Sequence, residues 1–106
     1  MQKDVIFSQK GEMLIAAIQC DVDHHSAKRM REKIDRMLFE IKPSVLVIDF
    51  SSVVFMDSSG LGLIMGRVEC ASAIHAEVKL VGMSPAISKL VRLCGLDRVK
   101  NLSFTK

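Results

Sequence analysis

The stretch FMDSSGLG, Phe55 to Gly62, sets a carboxylate (Asp57), two neighbouring hydroxyls (Ser58, Ser59) and two glycines (Gly60, Gly62) within eight positions. It follows an apolar run and precedes a helical pattern, so it falls at a helix start. Asp or Ser at such a start accepts hydrogen bonds from free backbone N–H groups, a cap worth about 1 kcal/mol. One cap needs one residue. Asp57 or Ser58 takes that place; with Asp57 there, the hydroxyls of Ser58 and Ser59 are not needed by the helix and can face outward. A helix start also gathers unpaired N–H groups and partial positive charge, where an attached phosphate is well tolerated. A serine here is a candidate phosphoacceptor.

Two enzyme patterns fail on spacing. Gly60, Gly62 and Gly66 read GxGxxxG, one residue off the dinucleotide fingerprint and after the third strand instead of the first, while Gly66-Arg67 lacks the Lys-Ser/Thr of a phosphate loop. A hydrolase elbow wants glycine two places before its serine, but Met56 and Asp57 stand there. Gly62 and Gly66, four apart on a helix, instead suggest a bare groove that lets another backbone or side chain approach. That neighbour is the sheet or a partner protein.

The rest of the composition narrows the class. At 106 residues the chain is a single domain, 1–106, able to bury its own core. No apolar stretch reaches the ~18 residues of a membrane span, and the charged N-terminus, MQKDVIFSQKGE, lacks the apolar centre of a secretory signal. A cytoplasmic setting without membrane contact is expected. Cys20, Cys70 and Cys94 form an odd set without CxxC spacing, expected as reduced, mostly buried thiols. With His24, His25 and His75 they lack the paired spacing of a zinc site, so no metal or cofactor is expected. A net charge of only +3, with no Trp or Tyr for base stacking, argues against nucleic acid as a partner.

The elements that hold these residues follow from periodicity. Val5–Ser8 and Met13–Ile18 read as strands joined by a polar turn, Gln9 to Glu12. From Ser26 or a neighbour to Pro43 the period becomes helical, with Met30, Ile34, Met37, Leu38 and Ile41 on one stripe. The cations of that helix alternate with Glu32, Asp35 and Glu40, as on a solvated face. SVLVIDF suits a central strand covered on both faces. A second helix carries Leu61, Ile64, Met65, Val68 and Ala71 inward, and EVKLVG is another strand. Ser84 caps a third helix, with Pro85 in its first turn, Leu90, Val91 and Cys94 inward, and Gly95 after its end. A short strand lies within Arg98 to Phe104. The order β-β-α-β-α-β-α-β implies an α/β fold: a mixed sheet with a parallel core, an initial β-hairpin, and helices packed on the sheet.

Three segments together, MDSSGLGLIMGR (Met56 to Arg67), DVDHHSA (Asp21 to Ala27) and SPAISKLVRLCGL (Ser84 to Leu96), make the chain similar to the STAS-domain anti-sigma factor antagonists, most closely the sporulation type of the sigma-F partner switch. The resemblance spans nearly the whole chain. It implies a STAS fold, a protein monomeric when free, and regulation without catalysis. The unmodified form would bind an anti-sigma factor serine kinase carrying ATP or ADP and release the sigma factor; phosphorylation on Ser58 would end binding, and a PP2C-type phosphatase would reset it. Asp23 would face the kinase together with Asp57, Ser58, Ser59, Gly60 and Gly62. Cys20-Asp21 stands where the family usually has Gly-Glu, and Ser26 replaces the commoner threonine; these departures could retune partner choice. Many relatives carry a terminal helix beyond the point matching Lys106, so the end here is abbreviated or the sequence is cut short. His24 and His25 read as titratable loop residues and the methionines as core filler. Alternatives are the same switch in a general stress-response pathway, or a small nucleotide-binding domain using the glycine-rich helix start.

Overall fold

The computed structural model describes residues 4–104; Met1 to Lys3, part of the charged N-terminal stretch, and Thr105 and Lys106 lie outside the described residues. Strands β1 (Val5–Lys10) and β2 (Met13–Ile18) form an antiparallel hairpin that ends on the Lys10–Met13 pair. The ladder runs past Ser8 because Gly11, at φ 61°, tightens the turn in a way other residues resist. There follow α1 (His24–Ile41), β3 (Val45–Asp49), α2 (Ser58–Ala73), β4 (Glu77–Val81), α3 (Pro85–Leu93), a 3-10 turn (Leu96–Arg98) and β5 (Leu102–Phe104). The strands stand side by side in sequence order, with β1–β2 antiparallel and each later pair parallel. Parallel neighbours need a crossover, and each helix supplies one. β3 is the centre, as its apolar run implies.

Burial in the sheet is one-sided. Leu14, Leu46, Val78 and Leu102 form one cross-strand row and Ala16, Ile48 and Leu80 the next, all buried. They share one core with Met30, Ile34 and Leu38 of α1 and Ile64, Val68 and Ala71 of α2. On the other face Val47 is buried, but Ile15 is half-buried and Lys79 and Ser103 are exposed. The expected cover on both faces of β3 is therefore corrected: Val47 is buried as the middle of a five-stranded sheet, between β2 and β4.

Helix boundaries follow local chemistry. The start of α1 lies before Ser26: Asp23 is the N-cap, and Ser26, at the third helical position, completes a reciprocal capping box. At the other end Lys42 turns left-handed, its N–H donates to Leu38 O at 2.8 Å, and Pro43 prevents continuation. In α2 the buried residues are Gly60, Leu63, Ile64, Arg67, Val68 and Ala71, whereas Leu61 and Met65, expected inward, are half-buried. The face is rotated because α2 packs against α1 as well as the sheet. In α3 the Ser84 hydroxyl accepts from Ile87 N–H at 3.2 Å, Pro85 opens the helix, and Gly95 follows its end at φ 79°. Val91 is buried, Leu90 is half-buried, and Cys94 is exposed because it is the C-cap beyond the last inward turn. Cys20 and Cys70 are half-buried, so the burial expected for the thiols is partial.

Candidate functional site

The loops after β2 and β3 leave the carboxyl ends of neighbouring parallel strands, the usual place for a site in such a sheet. A parallel bridge between Val22 and Met56 ties them together, with Val22 N–H donating to Phe55 O and Asp57 N–H to Val22 O, each at 3.1 Å. Both bridge residues are buried, so the link is anchored in the core. The next residue on each side, Asp23 and Asp57, caps a helix. The starts of α1 and α2 are thereby held side by side.

At the first start, Asp23 Oδ1 accepts from the N–H groups of His25 and Ser26, both at 2.9 Å. The Ser26 hydroxyl accepts from Asp23 N–H at 3.0 Å and donates to Asp21 O at 2.9 Å. The bond from Ser26 N–H, followed by that from His25, holds the Asp23 carboxyl below the usual carboxylate range. Asp23 is thus an exposed, charged cap.

At the second start, Asp57 Oδ1 accepts from Ser59 N–H at 2.8 Å, which resolves the choice of cap in favour of Asp57. Ser58, the first residue of α2, is exposed. Ser59 is half-buried and Gly60 buried, the latter because the Met56 side chain packs on it; a methyl group at Gly60 would overlap Met56 Cγ and Sδ. Gly62 is exposed. Of the residues singled out in the sequence, Asp23, Asp57, Ser58, Ser59 and Gly62 therefore reach one surface region, while Gly60 lies beneath it.

Gly62 and Gly66 do form a bare wall. Nothing comes within 4 Å of a methyl group built on either one, so the sheet does not fill the space they leave. They line an open groove of about 460 Å³ between α1 and α2, with Ser59 and Leu63 on one side and His24, Lys28 and Arg31 on the other. Beneath it Arg67, 3% exposed, has Nε 2.6 Å from Asp35 Oδ1 and donates from Nη2 to Asp35 Oδ2 at 3.2 Å. Asp35, read from the sequence as part of a solvated face, thus ties α1 to α2. A charged residue inside a helical stripe was the signal for Arg67; its partner, 32 positions away, could not be read.

Two further features are absent from the motif. Asp21 Oδ1 accepts from the N–H groups of both Val54 and Phe55 at 3.1 Å. Those two side chains are 85% and 55% exposed, although Phe50, Val53 and Met56 around them are buried. Among the described residues no group of three or more His, Cys, Asp or Glu is placed to hold a metal ion, and no helix is long and apolar enough to cross a membrane.

A five-stranded mixed sheet with helix crossovers and two coupled, capped helix starts defines a small α/β domain whose distinctive surface is a serine-bearing helix start. The chain belongs to the STAS domain family, whose model matches residues 4–105. Among its relatives, the anti-sigma F factor antagonist of Lysinibacillus sphaericus is 29% identical over 85 residues, covering 80% of this chain and 73% of that protein. The structure of the anti-sigma factor antagonist SpoIIAA in its unphosphorylated form superimposes with a TM-score of 0.74 at 23% identity, covering 96% of this chain and 87% of that one. SpoIIAA in its phosphorylated form, described as a Bacillus cell fate determinant, gives 0.73 at 25% identity, over 96% and 91% of the two chains.

Proposed function

We propose that this protein is an anti-sigma factor antagonist whose binding is switched by phosphorylation of Ser58. The observation that carries the reading is that Asp57 caps α2 while Ser58, the next residue, is exposed. Capping and phosphate acceptance are divided between two side chains, so modification of Ser58 leaves the helix start intact. The relatives named as anti-sigma factor antagonists, and the existence of SpoIIAA in two phosphorylation states, support carrying the function to this chain.

In the unmodified state the protein docks on an anti-sigma factor that is also an ATP-dependent serine kinase, and the sigma factor is released. Ser58 Oγ attacks the γ-phosphorus, the bond to the β–γ bridging oxygen breaks, ADP departs, and the hydroxyl proton passes to a base of the kinase. Ser58 must therefore sit inside the interface, with Asp23, Asp57, Ser59 and Gly62 around it and Gly60 setting the helix from below. After transfer, a group of about −1.5 to −2 charge occupies a contact fitted to a neutral hydroxyl and faces the phosphates of the nucleotide. Repulsion and the cost of burying that charge favour release, and every 1.4 kcal/mol is about tenfold in affinity. A PP2C-type phosphatase restores the hydroxyl by hydrolysis. The protein acts as substrate and ligand in the cytoplasm, with the catalysis supplied by its partners.

The test is incubation with the anti-sigma kinase of the same organism and ATP, followed by intact mass and peptide mapping. Ser58→Ala is expected to bind and to remain unlabelled, and Ser58→Asp to bind poorly. A phosphorylated Ser58→Ala protein would move the acceptor to Ser59 or elsewhere.

A further inference from the structure

We infer that Asp21 is a positioning residue that holds Val54 and Phe55 outward as the apolar anchor by which the anti-sigma kinase grips this protein beside Ser58. The inference rests on the phosphorylation-switch reading above and names the contact that gives it affinity.

The loop from Phe50 to Asp57 buries Phe50, Val53 and Met56, so it already supplies three apolar side chains to the core. Val54 and Phe55 are left in water at 85% and 55% exposure. Isolated exposed apolar residues are common; an adjacent pair whose backbone is held by a dedicated carboxylate is a more specific arrangement. Asp21 Oδ1 takes both N–H groups at 3.1 Å, and Phe55 O accepts from Val22 N–H at 3.1 Å. The backbone of the pair is thus bonded back to the loop after β2 while its side chains remain in solvent. Asp21 is itself held, since its carbonyl accepts from the Ser26 hydroxyl of the α1 capping box at 2.9 Å. Fixing a display in advance lowers the ordering cost of binding.

Geometry commits the occupant. Phe55 and Ser58 are three residues apart, a separation of at most about 11 Å along the chain. A stable protein interface covers about 800 Å² on each partner. Val54, Phe55 and Ser58 are all exposed, and a kinase centred on Ser58 with such a footprint reaches far enough to cover Phe55 and Val54 as well. Aromatic side chains near the middle of an interface carry much of its affinity. The partner therefore presents an uncharged, concave surface next to its nucleotide site, and the phosphate later placed on Ser58 acts within the same patch.

The experiment measures the KM and kcat for phosphorylation by the anti-sigma kinase of the same organism, with calorimetric affinity for its ADP-loaded form. The variants are Phe55→Ala, Val54→Ala, Asp21→Ala and Asp21→Asn, with amide hydrogen exchange and melting temperature recorded for each. Phe55→Ala is expected to raise KM and the dissociation constant at least about tenfold, with kcat falling by less than about threefold. Val54→Ala changes them in the same direction. Asp21→Ala is expected to weaken binding similarly and to speed exchange at the Val54 and Phe55 amides, with the strands of the sheet still protected. Asp21→Asn recovers most of the loss, because its side-chain oxygen still accepts. Normal affinity in both Phe55→Ala and Val54→Ala, with Ser58 still labelled, removes the anchor and leaves the switch standing. Slow exchange at Val54 and Phe55 in a folded Asp21→Ala protein removes the role of Asp21. A wild-type protein that its kinase never labels on Ser58 removes the switch and the anchor together.

Discussion

Val22 and Met56 pair across two loops as an isolated parallel bridge, and the residue after each, Asp23 and Asp57, caps a helix. One backbone link therefore sets the relative position of the two helix starts that form the candidate site. Substitutions that disturb this link should alter partner binding even where no contact residue is changed.

Gly60 provides a direct probe of that link. A methyl group there meets the Met56 side chain, which is 6% exposed and has little room to retreat. Gly60→Ala is expected to lower stability by about 1–3 kcal/mol despite the better helix propensity of alanine. Thermal and urea melts check this. The double variant with Met56→Ala should be less destabilised than the sum of the two single changes, because the overlapping group is gone.

The glycines of the groove should behave oppositely. Gly62→Ala and Gly66→Ala meet nothing within 4 Å, so each should stabilise α2, by up to about 1 kcal/mol. If the partner enters the groove, the same variants bind it less well while melting higher. Gly82 is the control for strain: its φ of 70° and the nearby Asp49 Oδ1 and Ser51 N make Gly82→Ala strongly destabilising in the same melts.

Arg67 and Asp35 form the polar tie between α1 and α2. Asp35→Ala leaves the guanidinium buried without its partner and should cost up to about 3 kcal/mol, the low end for a broken buried pair because the Asp35 side chain is 27% exposed. Replacing both residues with apolar side chains of similar size should recover most of that loss. Urea unfolding of the parent and the two variants decides the point.

Acid should loosen the junction of the N-terminal strand with α1. Asp4 is buried, with Arg29 Nε at 2.8 Å and Lys33 Nζ at 3.5 Å, and the Arg29 hydrogen bond holds its carboxyl below its ordinary value of 3.8. A folded-state value below the unfolded one contributes stability that is present above about pH 4 and lost as pH falls through the lowered value. Asp23 shifts in the same direction, through its bonds from Ser26 and His25. Asp4→Asn is expected to be less stable than the parent at pH 7 and to lose less on acidification to pH 3, as read from urea midpoints.

The legibility of each feature followed the range of its interactions. Ser84, Pro85 and Gly95 announced α3 because capping and termination depend on a few consecutive residues. The hairpin, the central β3 and the element order were readable for the same reason, from period and punctuation. The start of α1 was displaced because Asp23 and Ser26 are both good caps and only the backbone geometry selects between them. The inward face of α2 was misread at Leu61 and Met65 because that helix packs on two neighbours, and periodicity assumes one.

By itself the sequence determined the kind of elements, their order and the presence of an aspartate and two serines at a helix start, since each is written in residues that are neighbours along the chain. Only the tertiary structure decided that Asp57 takes the cap and leaves Ser58 in solvent, and that Asp35 reaches Arg67. The same holds for Asp21 gripping Val54 and Phe55 from the other loop. The Asp35 and Asp21 contacts span 32 to 34 positions and are fixed only when parallel strands bring their loops together, while the Asp57 cap, though local, is selected by the backbone geometry that the Val22–Met56 bridge imposes. A local pattern carries no record of which distant donor a carboxylate will meet.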